Sequence, residues 1–177
     1  EDEESKEILT LLLLKRKRII HKAYNKQAVF KEILEERIKE NGSLKYSLIY
    51  VPEGNRSDDQ TADIFDLRDT IEDDEDSSHL IDLYTSIVKN IDNHITVRKF
   101  TSESKDRDLM LQGFAKGEID VLTSMKCLDE GVDVPRSEFA FFCASTGNPR
   151  QFIQRRGRVL RTHPDKKYAI IHDMIVV

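Results

Sequence analysis

The sequence predicts an α/β fold in three layers, with a central, mainly parallel sheet flanked by helices. Three observations predict it. Short apolar runs of strand formers alternate with stretches of helical period, the pattern of a doubly wound sheet. The length, 177 residues, is about one domain's worth of chain and allows one sizeable core. No internal repeat replaces that pattern with a stacked array.

The elements follow in order. Residues Ser5 to His21 and Lys26 to Glu40 read as helices; in the second, Phe30, Leu34 and Ile38 share a face, with Val29 and Ile33 beside them. Asn41-Gly42 supplies a stop. Tyr46 to Val51 reads as a strand ended by Pro52. Asn55 to Ser78 is too charged to order itself cheaply, which predicts a mobile acidic insertion over 53–78. A helix is expected from about His79 to Asn90, a strand over Ile95 to Phe100, a helix over Lys105 to Lys116 and a strand over Ile119 to Leu122. Phe139 to Ala144 reads as another strand, Asn148-Pro149 as a helix start, and Tyr168 to His172 as a last strand.

Leu11 to Leu14 is flanked by Lys15-Arg16-Lys17-Arg18 and falls far short of the roughly 20 apolar residues of a membrane span, so no membrane partner is expected. The basic run suits either phosphate or the wet face of a helix. Cys127 and Cys143 have no metal-ligand spacing, and the five His are scattered, so no metal site is expected. Unpaired cysteines predict a reducing, cytoplasmic setting, nucleoid-associated in a bacterium. Glu1-Asp2-Glu3-Glu4, without a starting Met, suggests a piece beginning within a longer protein. A net charge of −5 speaks against nucleic acid until its distribution is read. From Glu53 to Asp76 the local net is −9, and removing that stretch leaves +4; from Gly147 to Lys167 the local net is +6. One segment is therefore suited to phosphates.

In a doubly wound sheet ligands gather at the carboxyl ends of strands. Thr123 and Ser124 lie at such an end, where hydroxyls and amides can meet a phosphate. Gly131 allows close backbone approach, and Asp133 offers a carboxylate to a ribose hydroxyl. Alone, these residues also fit an ordinary loop. Gln154 to Arg161 holds four Arg in eight residues, which repel unless something anionic faces them. If helical, Arg155, Arg158 and Arg161 are spaced so that neighbours share a face. Arg150, Arg155 and Arg156 read equally well as surface. His172-Asp173 has no Ser or Cys nucleophile motif nearby and is set aside as a catalytic pair.

Val121 to Pro135 and Gln154 to Arg161, in this order and separation, resemble motifs V and VI of superfamily 2 helicases. The Gly157-Arg158-Val159-Leu160-Arg161 ending is most similar to the branch of repair translocases and restriction-enzyme motor subunits. The resemblance covers roughly Lys26 to the end, with Ser47 to Pro52 as motif IV, and implies a RecA-like fold. It divides the chain into a helical linker from a preceding domain (1–24) and a helicase C-terminal domain (25–177). It implies that Arg158 is the arginine finger, that Arg161 contacts the γ-phosphate, and that Gly131, Asp133 and Gln154 serve ATP. Thr123, Ser124 and Ser102, the last in the segment after Phe100, then face the nucleic-acid backbone.

There is no Gly-x-x-x-x-Gly-Lys-Ser/Thr loop and no Asp-Glu-x-His or Asp-Glu-Ala-Asp box in this sequence. ATP and magnesium are thus expected to be held mainly by an N-terminal RecA-like partner domain, leaving the isolated chain inactive. The implied function is the second motor domain of an ATP-dependent DNA helicase or translocase, with restriction or repair subunits as further partners. An RNA helicase or a non-catalytic RecA-like scaffold are the alternatives.

Overall fold

The computed structural model describes residues 2–21, 23–51, 70–101, 103–125, 132, 134–143 and 149–175. Five strands, β1 (Ser47–Tyr50), β2 (Val97–Phe100), β3 (Val121–Ser124), β4 (Phe139–Phe142) and β5 (Ile170–Asp173), form one sheet in the order β2-β3-β1-β4-β5. Every pairing is parallel. Parallel neighbours cannot be joined by tight turns, and helices make the crossovers from β1 to β2, β2 to β3 and β4 to β5. These are α3 (Thr70–Ile91), α4 (Arg107–Lys116) and α5 (Pro149–Val159), preceded by α1 (Asp2–His21) and α2 (Asn25–Asn41). The expected three layers are present.

Alternation along the strands splits the core in two. Ile49, Val97, Val121, Phe139 and Phe141 meet Phe30 and Leu34 of α2 and Ile81, Tyr84 and Val88 of α3. Leu48, Tyr50, Phe100, Leu122, Ala140 and Phe142 meet Phe114 of α4 and Val159 of α5. With both faces covered, the strands read as continuous apolar runs. Each fully buried large side chain contributes roughly 1.5–3 kcal/mol. Phe30 is the hinge pin of the first cluster, edge-on to Tyr84 at 5.0 Å and to Phe141 at 4.8 Å.

The α2 stripe departs from its apolar reading at both ends. Lys26 and Arg37 are buried with Phe30 and Leu34, whereas Val29 is exposed. The Lys26 ammonium donates to the Cys143 carbonyl (2.9 Å), and Arg37 lies 4.4 Å over the Phe139 ring. A charge with a strong partner replaces an apolar residue there. Gly42 ends α2 in the left-handed region (φ 73°), its amide donating to the Ile38 carbonyl (2.8 Å), as Asn41-Gly42 predicts. Gly117 ends α4 likewise (φ 74°), and a Cβ there would lie 2.8 Å from the Tyr46 hydroxyl.

Two expectations need correction. The helix expected from about His79 begins at Thr70, so residues 70–78 of the supposed insertion are helical. Its first turns are acid-rich in sequence, and the positive end of a helix dipole favours that composition. Residues 53–69 of the insertion lie outside the described residues. The strand expected over Ile119 to Leu122 runs two residues later, because Thr123 and Ser124 pair with Ile49 and Tyr50 on one side and Lys99 and Phe100 on the other.

Helix α1 forms as expected, yet none of its described residues is buried, and Ile8, Leu9, Leu11, Leu12, Leu13 and Ile19 are exposed. Among the described residues no helix is long and apolar enough to cross a membrane.

Candidate nucleotide and nucleic-acid site

Because all strands are parallel, the carboxyl ends of β3, β1 and β4 lie on one edge, and α5 follows β4 at that edge. Pro149 opens α5, its ring suited to a first helical position. Asn148, the expected cap, lies outside the described residues. Val159 is fully buried beneath the helix and anchors it to the sheet, while Ile153 and Gln154 face outward.

The arginines of α5 do three different things. Arg155 lies 5.7 Å over the Tyr50 ring, at the carboxyl end of β1. Arg156 pairs with Asp173 at the end of β5 (2.7 Å). Arg158, half-buried, donates from Nη1 to the Val132 carbonyl. Val132 is itself buried, as is Val134, and both join the core cluster of α4 and α5. The structure thus brings Arg158 to the backbone between the two residues expected to serve ATP. Gly131 and Asp133 lie outside the described residues.

Arg161 is not on the helix face. α5 stops at Val159, and the Arg161 amide turns back to the Arg158 carbonyl (3.3 Å) in a tightened last turn. The regular spacing therefore holds for Arg155 and Arg158 only, and Arg161 is exposed beyond the helix end.

Two of the hydroxyls expected on the nucleic-acid track, those of Thr123 and Ser124, lie at the carboxyl end of β3. Thr123 and Ser124 are both fully buried. The Thr123 hydroxyl sits 2.7 Å from that of Thr85 on α3 and 3.4 Å from the Arg98 carbonyl, to which it donates. The Ser124 hydroxyl donates to the Met125 carbonyl (3.1 Å). Both belong to the strand proper: Thr123 faces α3, while Ser124, in register with Tyr50 and Phe100, lies on the opposite face of the sheet. Ser102 lies outside the described residues; its neighbours Thr101 and Ser104 close a turn, the Thr101 amide donating to the Ser104 hydroxyl (2.8 Å).

Sequence reasoning gave no site role to Asp173, Lys166 or Tyr50. Only His172-Asp173 drew notice, and its two side chains part company: the imidazole stacks on Phe141 (5.9 Å, 7°), while the carboxylate turns to Arg156. Burial pulls the His172 pKa down, and Arg37 adds to this. Burial pushes the Cys143 thiol up, removing it as a nucleophile. Among the described residues no three His, Cys, Asp or Glu side chains come together, and the Asp173 carboxylate is engaged by Arg156.

A parallel three-layer domain of this kind is a RecA-like architecture. The chain belongs to the helicase conserved C-terminal domain family, whose model matches residues 73–163, just over half of it. The match with superfamily 2 extends to individual relatives. The DNA 3'-5' translocase XPB2 of Sulfurisphaera tokodaii is 39% identical over 77 residues, covering 44% of this chain and 17% of that protein. The putative ATP-dependent helicase IRC3 of Saccharomyces cerevisiae is 36% identical over 86 residues, covering 48% of this chain and 12% of that protein. Among solved structures, domain 2 of the DEAD-box helicase Mss116p bound to an RNA duplex superposes with a TM-score of 0.61 at 18% identity, over 85% of this chain and 50% of that one. The DUF1998 helicase MrfA bound to DNA and AMPPNP gives 0.53 at 17%, over 85% and 18%. These structural likenesses establish the fold.

Proposed function

We propose that this chain is the second motor domain of an ATP-dependent DNA helicase or translocase, closing on a first RecA-like domain around ATP. In this reading Arg158 is the arginine finger and Arg161 a second contact to the γ-phosphate. Gly131 and Asp133 approach the nucleotide, and exposed Gln154 couples to the facing domain. The partner domain supplies the phosphate loop and the groups that hold magnesium. One observation carries the reading: Arg158 reaches from α5 to the Val132 carbonyl, between Gly131 and Asp133. Two separate segments thereby converge, which supports a shared nucleotide site. A guanidinium suits that role because it stays charged and donates in a planar fork. The nucleic-acid track is formed by the backbone groups of Thr123 and Ser124, whose hydroxyls are buried, and by the segment around Ser102. The protein works in the cytoplasm, with restriction or repair subunits as partners.

DNA is favoured by the XPB2 relative, itself a DNA translocase. RNA is the second reading, since the RNA-bound Mss116p domain superposes well. The test is steady-state ATP hydrolysis by the complete protein with DNA or RNA added. DNA should stimulate it more strongly, and Arg158→Ala should lower the stimulated rate on the order of 10³-fold with nucleotide-free DNA binding little changed. Stimulation by RNA alone selects the second reading. Near-normal hydrolysis by Arg158→Ala removes the finger assignment.

A further inference from the structure

Beyond α5 the chain makes a turn, Pro164-Asp165-Lys166, that rests against a second turn, Pro135-Arg136, at the end of the segment following β3. The two turns exchange basic side chains. Lys166 donates to the Pro135 carbonyl (3.3 Å), and Arg136 donates to the Asp165 carbonyl (3.1 Å). Lys166 also donates to the carbonyls of Val159 and of Arg161 (2.8 Å for the latter). An ammonium has three N–H groups, and here three carbonyls from two segments receive them. Val159 ends α5 and Arg161 lies just beyond it; carbonyls at a helix end lack partners within the helix, and a positive charge there is favoured by the dipole.

The Arg136 half is equally anchored. Its guanidinium pairs with Glu138 and lies 4.0 Å over the Tyr46 ring. The backbone between is fixed as well: the Ser137 amide and hydroxyl both donate to the Val134 carbonyl (3.0 and 2.8 Å), and the Glu138 amide donates to the Tyr46 carbonyl (2.9 Å). Burial pulls the Lys166 pKa down and Arg136 adds to this, with Glu138 opposing.

We infer that Lys166 and Arg136 form a reciprocal clasp that fixes the segment after β3 against the end of α5, making Lys166 a positioning residue for Arg158. The reason is geometric. Arg158 meets Val132 three residues before Pro135, and Lys166 holds the carbonyl of Val159, the residue next to Arg158. One side chain therefore sets the register of both ends of the Arg158–Val132 contact. The kinetic consequence rests on the function proposed above; the clasp itself does not.

The test uses the complete protein. Lys166→Met keeps the stem and removes the donors. Amide hydrogen exchange in residues 134–138 and 159–163 should accelerate by about tenfold or more while β1 is unchanged, and Arg136→Met should do the same. Unchanged exchange in those segments overturns the clasp. In nucleic-acid-stimulated hydrolysis, Lys166→Met should lower kcat on the order of 10- to 100-fold with KM for ATP nearly constant, the scale for a misplaced catalytic group. Lys166→Arg, which keeps the charge and several donors, should recover part of the rate. Combined with Arg158→Ala, Lys166→Met should add little further loss, since it acts through Arg158. Accelerated exchange with unchanged kcat, or fully additive losses, overturns the positioning role. If Arg158→Ala alone hydrolyses normally, the proposed function fails and the positioning role with it, while exchange still decides the clasp.

Discussion

Arg158 on α5 and Val132 after β3, 26 residues apart in sequence, are joined by a hydrogen bond from the guanidinium to the carbonyl. The bond ties the two recognisable segments of the site into one unit. Arg158 is thus held by backbone, which lowers the ordering cost of the phosphate contact proposed for it.

Thr123 and Thr85 make the sharpest contrast between a surface and a core role. Removing one hydroxyl of this buried pair, as in Thr123→Val, should cost about 1–3 kcal/mol by leaving the other without its partner. The double substitution Thr85→Val, Thr123→Val should cost less than the sum of the singles in a urea-denaturation cycle. Nucleic-acid affinity should hold in all three. A selective loss of affinity in Thr123→Val at unchanged stability returns the residue to the nucleic-acid track.

Arg156 and Asp173 pair across α5 and β5 (2.7 Å), with the carboxylate the more buried partner. Asp173→Asn should lower stability on the order of 1 kcal/mol, since Arg156 is about a third exposed and partly screened. ATP hydrolysis by the complete protein should fall far less than in Arg158→Ala. An equal fall would place Arg156 at the phosphates.

Phe30 is fully buried between Tyr84 and Phe141. Phe30→Ala should cost about 3–5 kcal/mol in chemical unfolding, combining lost transfer energy with a cavity at the junction of α2, α3 and the sheet. Val29→Ala, one position away and exposed, should change stability by less than about 0.5 kcal/mol. Equal costs would mean that α2 is rotated from the orientation described.

His172 supplies a pH dependence. Its folded pKa lies below the ordinary value of 6.5, chiefly through burial, so the unfolded chain takes up the proton more readily. Its contribution is present above that value and is lost as pH falls through it toward the folded pKa. The melting temperature should therefore fall more between about pH 7.5 and about pH 5 in the native sequence than in His172→Phe, which keeps the ring stack on Phe141. Parallel falls in both proteins would show that other groups carry the dependence.

The sequence by itself determined the alternation of strands and helices, the parallel sheet, and the two segments that define the family. Those features are local: apolar runs of four to six residues, a helical period, Gly42 and Pro149 as punctuation, and arginines clustered in eight residues. It also determined which helix carries Arg158. Tertiary structure decided what each polar side chain does. Thr123 and Ser124 end a strand in sequence, and only the fold shows that Thr85 on α3 meets the Thr123 hydroxyl. Lys26 and Arg37 broke an apolar stripe in sequence, yet they are buried because a carbonyl and an aromatic ring lie opposite. Arg156 found Asp173, Arg158 found Val132, and Lys166 found three carbonyls, partners 5 to 31 residues away in the Arg and Lys contacts described. Pairing over such distances depends on how the chain crosses the sheet, and spacing in the sequence holds no record of it.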